Sequence, residues 1–274
     1  MEPLDPLSRV VALLDHLAGP EQGQPTLNRL LHTDDQIGSV ARAIASSSAF
    51  ERLFKEARTI DVKAGRKEAD PAYVGMPDLN PELPFDKQFD QFFRPRLAAR
   101  AEGFATLFRA LPMPPERLLI IETGCLRIPR NWEGDGQSTY MFDALARKRR
   151  GFFFSIDVNL ESVDTARRAC SSSTHLILGD SVAALHHLGA LIERPANVLY
   201  LDSYDVDPGN LMPSAIHHMM ELTAAQPLIG PGTIVCVDDY GIGGGGKGLL
   251  LDQYFSAIRA EVLHSGYQKM WRMA

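Results

Sequence analysis

Two apolar runs that end in carboxylates constrain this chain most: VLYLD at 198–202 and TIVCVDDY at 233–240. Between them, residues 212–225 carry apolar side chains at helical spacing, and Gly230-Pro231-Gly232 turns the chain back. The order strand, helix, strand, with both strands apolar throughout, predicts two buried parallel strands joined by a right-handed crossover. Such strands end on one edge of their sheet. Asp202, Asp238 and Asp239 are therefore expected to converge where open α/β sheets bind ligands. A lone aspartate at such a turn is commonly a helix cap, but one strand tip with an Asp beside another with an Asp pair points to a ligand. Three carboxylates brought together repel one another unless something cationic sits among them, and a hard divalent ion is the simplest candidate.

Three more strands precede this unit: RLLIIE at 117–122, FFFSID at 152–157 and HLILGD at 175–180. After the first, Glu122 and Gly124 open a glycine turn. Gly136 closes it beyond an insertion rich in Arg, Asn, Trp and acidic residues, and Ser138 or Thr139 starts a helix. Glycine lets a backbone pass close to a ligand. The insertion is expected to reach outward, with Arg127, Asn131 and Trp132 as contacts. Asp157, at the end of the second strand, suits a carboxylate that accepts two hydrogen bonds from a ribose diol, the alternative being a cap for the helix over 160–170.

The segment LDSYD, a helix, IGPGTIVCVDDYG and a following Lys-Gly resembles the second half of the class I S-adenosylmethionine (SAM) methyltransferases. The nearest pattern is that of the metal-dependent O-methyltransferases acting on catechols and macrolide sugars, over about residues 117–274. The resemblance implies an α/β, Rossmann-like, doubly wound and mostly parallel sheet. It implies SAM as cofactor and Mg²⁺ held by Asp202, Asp238 and Asp239. It places Glu122, Gly124, Gly136 and Ser138 around the methionine part of SAM, and Asp157 on the ribose. Asp180 and Ser181 would meet the adenine, and Asp202 would border the cofactor as well as the metal. The implied activity is Mg-assisted O-methylation of a small hydroxylated metabolite. Two alternatives stay open: a diverged, hydroxylase-like metal-dependent enzyme on the same fold, or a non-catalytic SAM-binding adaptor. Catechol-type relatives use as base a lysine three residues after the first metal ligand. Here that position is Asp205, which leaves Asp205, His217, His218 and Lys247 as candidates.

Two features depart from the family pattern. The segment 241–248, GIGGGGKG, nearly matches a phosphate-binding loop but ends in Gly248 where a hydroxyl is needed. It is read instead as a hinge, with Lys247 facing an anionic substrate or starting a helix over 248–263. Class I methyltransferases close their sheet with an antiparallel hairpin, yet GYQKMWRMA leaves room for one strand only. Either an N-terminal segment or a partner subunit fills the edge, or the edge is left short, so a homo-oligomer is a reasonable expectation.

The remainder divides into a helical N-terminal module over 1–60, a Pro- and Gly-rich linker over 61–86, and the α/β domain over 87–274. The helical pattern over 85–110 is rich in phenylalanine and breaks at Arg94-Pro95. Basic residues 148–150 read as a solvated helix end. A net charge of −6 gives no general pull toward nucleic acid. No run approaches a membrane span and the acidic, amphipathic start is no signal peptide. Three scattered cysteines suit a reducing cytoplasm. The expected partner is a small-molecule acceptor.

Overall fold

The computed structural model describes residues 67–76, 82–113 and 117–274. The helices expected over 1–60 lie outside the described residues. Seven strands form one sheet: β1 Leu119–Thr123, β2 Phe152–Asp157, β3 Thr174–Leu178, β4 Val198–Leu201, β5 Ile234–Val237, β6 Glu261–Ser265 and β7 Lys269–Arg272. Their order is β3-β2-β1-β4-β5-β7-β6. The first five are mutually parallel and β7 is antiparallel to both neighbours. This is the Rossmann-like, doubly wound sheet expected from the sequence, closed by an antiparallel hairpin.

The central strands are mostly apolar because both faces are covered. β1, β4 and β5 are buried throughout. Side chains alternate between two cores with the period of a strand. Ile120, Tyr200 and Cys236 face one core, which holds Phe104, Phe142 and Phe153. Leu119, Ile121, Leu199, Leu201, Val235 and Val237 face the other, with Leu185, Leu222, Leu251 and Phe255. Burying each such side chain contributes about 1.5–3 kcal/mol. Residues 67–76, assigned to the linker on sequence, add Val74 and Met76 to the first core. Their backbone bonds to the body at Asp70 N–Ala169 O and Ser172 N–Lys67 O, both 2.9 Å.

The hairpin corrects the expectation of a single closing strand. The helix anticipated over 248–263 ends early, as α-helix Leu249–Ala257. Arg259 adopts a left-handed φ of 55°, and Ala260 N bonds back to Phe255 O at 3.0 Å, a capping turn that stops the helix. The residues released, Glu261–Ser265, form β6 and pair with β7. The chain itself thus supplies the second strand of the closing hairpin.

Before β1 the Phe-rich segment is not one helix. It runs as α-helix Phe85–Gln88, a π-turn Phe89–Phe93, 3₁₀ turns Arg94–Arg96 and Ala98–Arg100, and α-helix Ala101–Ala110. Pro95 lacks the N–H that a continuous helix needs, and the turns that follow deliver Arg100 to the sheet edge. Among the described residues, no helix is long and apolar enough to cross a membrane. All three cysteines are buried and free.

Candidate active site

Strand order reverses between β1 and β4, and the chain leaves these strands at Gly124 and Asp202. Gly124 has φ 86°, and a Cβ there would lie 2.5 Å from the Asp202 carbonyl oxygen. Only glycine permits that approach. A cavity of about 390 Å³ opens beside it, bordered by Gly124, Ser138, Asp157, Asp202, Asp205 and Asp239, among others. Asp157 Oδ2 accepts from Cys125 N at 2.8 Å, and Oδ1 from Asn159 N at 2.7 Å. The carboxylate is thereby fixed at the mouth of the first turn, while Asn159 takes the capping position of α-helix Leu160–Ala169.

The three aspartates do converge: one carboxylate oxygen from each lies within 4.8 Å of the others. What lies among them is protein. Arg100 Nε donates to Asp238 Oδ2 at 2.7 Å, and its Nη2 to Asp239 Oδ1 at 3.2 Å. Lys247 Nζ pairs with Asp202 Oδ1 and, at 3.0 Å, with Asp239 Oδ2. The Tyr267 hydroxyl donates to Asp239 Oδ1 at 2.6 Å. Both cations are buried, with side-chain exposures of 6% for Arg100 and 1% for Lys247.

Burial by itself lowers the Lys247 pKa. The three carboxylates more than offset that and hold its pKa above the usual lysine range. Arg100 is likewise pushed up against burial, chiefly by Asp238. Burial raises the Asp202 carboxyl well above the normal range despite Lys247. At Asp239 burial also opposes the charge, but Lys247, Tyr267 and Arg100 outweigh it and lower the pKa. Three carboxylates against two cations leave a single formal negative charge.

A divalent ion suits this donor set in kind. Its placement here is another matter. A dication roughly 4 Å from two fixed unit cations is repelled by about 16 kcal/mol at an effective dielectric near 20, which offsets about two thirds of its attraction to three carboxylates at that distance, and those cations already hold one oxygen each of Asp202 and Asp238 and both of Asp239, leaving Asp238 Oδ1 without a partner. As folded, with Arg100 and Lys247 in place, the cluster does not fit a divalent ion.

The glycine run explains how Lys247 comes to be buried. Gly243, Gly244, Gly245 and Gly246 all have positive φ, and a Cβ on Gly246 would lie 1.8 Å from the Asp239 carbonyl oxygen. The segment is a tight wrap against the tip of β5, not the expected hinge, and Lys247 points into the carboxylates instead of toward an anionic substrate.

Other anticipated residues fall elsewhere. Asp205 borders the cavity, but its side chain is 71% exposed and paired with Arg127 at 2.9 Å. His217 Nε2 lies 3.1 Å from Ser181 Oγ and 3.5 Å from Glu221. His218 is fully buried, its Nδ1 2.7 Å from Ser214 O. Neither histidine borders the cavity, and neither do Asp180 and Ser181. Asp180 caps its own helix through Ala183 N. Glu122 lies beneath the site and accepts from Thr139 Oγ1 at 2.8 Å and Ser155 Oγ at 2.5 Å. Gly136 has φ 69° and packs against Arg100, whose Cδ a Cβ would meet at 2.8 Å.

In the insertion Arg127 stays half exposed and borders the cavity, as expected of a contact residue, whereas Trp132 turns inward. Trp132 is buried, stacks on Phe93 at 5.7 Å and donates from Nε1 to Val74 O at 2.7 Å. Asn131 caps the short helix Trp132–Asp135 through Gly134 N. Sequence reasoning missed Arg100 and Tyr267 altogether; each lies far along the chain from its aspartate partners, and no local spacing links them.

No protein-family model matches the chain, and no curated protein matches it. Several solved structures resemble it. The MycE methyltransferase of the mycinamycin biosynthetic pathway, in complex with Mg, SAH and mycinamycin VI, is 16% identical over 88% of this chain, with a TM-score of 0.42. The chain spans 63% of that protein's length. An O-methyltransferase from Bacillus cereus in complex with SAH is 14% identical over 85% of this chain and 96% of its own, with a TM-score of 0.43. CalS11, a calicheamicin methyltransferase, is 12% identical over 84% and 94%, with a TM-score of 0.46.

Proposed function

We propose that the protein binds SAM in the cavity at the β1/β4 switch point and methylates a hydroxyl of a small molecule. One observation carries this reading: the Gly124 turn, Asp157 and the carboxylates of Asp202 and Asp239 border a single cavity of about 390 Å³, a size within the usual range for small ligands. When bound, SAM supplies a methyl group already made electrophilic by its sulfonium. The chain's residues then have three tasks. Gly124 lets the backbone lie flat against the ligand. Asp157, held by Cys125 N and Asn159 N, keeps lone pairs for a ribose diol. Asp202, whose carboxyl burial makes more basic, takes the proton from the acceptor hydroxyl as general base. Asp205 is less suited, because Arg127 holds both its oxygens, at 3.0 and 2.9 Å. No step is routed through Mg²⁺, since Arg100 and Lys247 fill the place it would take.

The test is calorimetric titration of the full chain with S-adenosylhomocysteine, followed by transfer of labelled methyl from SAM to a panel of hydroxylated metabolites. The wild type is expected to bind, with affinity reduced at least about tenfold in Asp157→Ala, the loss of one good hydrogen bond to a charged group. Absence of binding at millimolar ligand would sink the proposal. Binding with no transfer to any acceptor would favour a SAM-binding adaptor.

A further inference from the structure

We infer that Arg100 and Lys247 are the resident cations of the Asp202–Asp238–Asp239 cluster, and that the protein operates at this place without a divalent metal. The inference concerns the cluster's own cations and is tested independently of methyl transfer.

Three observations carry it. First, every carboxylate of the cluster already touches a cation: Asp238 and Asp239 touch Arg100, and Asp202 and Asp239 touch Lys247. Second, neither cation is a free arm that could swing out to admit an ion. Lys247 is clamped by successive left-handed glycines, with Gly246 set hard against the Asp239 carbonyl. Arg100 is gripped on three sides. Its Nη1 donates to Glu133 O at 2.9 Å, its guanidinium lies 4.6 Å over the Tyr267 ring, and its Cδ abuts Gly136. Third, Lys247 approaches from within the protein, and Arg100 borders the cavity beside the carboxylates it holds. Lys247 does not border the cavity, whereas Asp202 and Asp239 do. Asp202 and Asp239 therefore present acceptor oxygens to a ligand while Lys247 balances their charge from behind and Arg100 from the side. Such a wall recognises a donor, which fits a hydroxylated acceptor better than an anionic one.

The deciding experiment uses the full chain, stripped with EDTA and desalted, then titrated with Mn²⁺ while free ion is followed by electron paramagnetic resonance. The wild type is expected to sequester no stoichiometric Mn²⁺. Lys247→Met, which keeps the side-chain length and removes the charge, is expected to gain a site at least about tenfold tighter, because a fixed repelling cation is gone. Stoichiometric Mn²⁺ uptake by the wild type overturns the inference, and so does a folded Lys247→Met variant that gains no site. If that variant fails to fold, the wild type still decides: its melting temperature should be the same in Mg²⁺ and in EDTA, and a Mg²⁺-dependent rise overturns the inference. Binding of S-adenosylhomocysteine is measured on the same stripped sample. Binding that needs Mg²⁺ restored overturns the inference, and unchanged binding supports it. No binding under either condition counts against the methyl-transfer proposal and leaves the Mn²⁺ result to decide here.

Discussion

Glu122 makes stability depend on pH in a way that one substitution isolates. The side chain is fully buried under the first turn. Its Oε2 accepts from Thr139 and Ser155, and Oε1 has no partner. Burial raises its pKa from 4.5 to about 7, against the pull of Ser138, Ser155 and Thr139 hydrogen bonds. The folded state thus holds the proton more tightly than the unfolded chain. Stability from this group is complete below the unfolded pKa, declines as pH climbs from about 4.5, and is gone above about 7. The full span is roughly 3 kcal/mol, at 1.36 kcal/mol per pKa unit. Between roughly pH 5 and pH 8 the loss is about 2.5 kcal/mol, because part of the fall is already over at the lower value. Glu122→Gln keeps the shape and removes the titration. Urea unfolding of both proteins at the two pH values should show the wild type losing about 2.5 kcal/mol more than the variant. The difference between proteins cancels other titrating groups such as His218, whose pKa burial lowers to about 4. Parallel pH profiles for wild type and variant would refute the argument, since they would mean that Glu122 carries no shifted proton.

Two further outcomes follow from packing. Gly124→Ala should destabilise the fold by about 2–4 kcal/mol in urea, combining strain at positive φ with a contact of 2.5 Å on the Asp202 carbonyl. Trp132→Phe keeps the ring on Phe93 but leaves the Val74 carbonyl without its indole donor; a loss of about 1–3 kcal/mol is expected by the same assay.

The central β4–helix–β5 unit was legible because Val, Ile and Leu runs with aspartate tips leave few alternatives, and the structure follows it closely, with the helix at Met212–Ala224. Less was readable where distant residues decide the outcome. LLLDQYFSAIRAEVL reads as one helix, and only the left-handed turn at Arg259 hands its last residues to β6. The polar insertion at 127–137 looks solvent-bound until Val74 and Phe93 arrive to bury Trp132. Lys247 read as facing an anionic substrate or starting a helix, because the sequence shows the glycines but not the Asp239 carbonyl against which they pack.

The convergence of Asp238 and Asp239 needs its own explanation, because a regular strand would separate them. Consecutive side chains on a strand point to opposite faces, so an Asp pair at a strand tip would ordinarily send one carboxylate into each core. Asp238 still follows the strand: its N–H bonds Leu201 O at 3.1 Å, and its side chain takes the face of Cys236. Asp239 breaks the alternation with φ 52°. That conformation costs about 1–2 kcal/mol for a residue with a Cβ, less for Asp, whose short polar side chain tolerates it. Hydrogen bonds from Tyr267 and Arg100 and the Lys247 ion pair offset the cost, and each of them is available only because the left-handed turn swings the second carboxylate back beside the first. The glycine wrap then closes on the Asp239 carbonyl and leaves the backbone little room to straighten. Cation burial and backbone turn thus support one another, and the acidic pair can share a site because the protein's own cations hold it there.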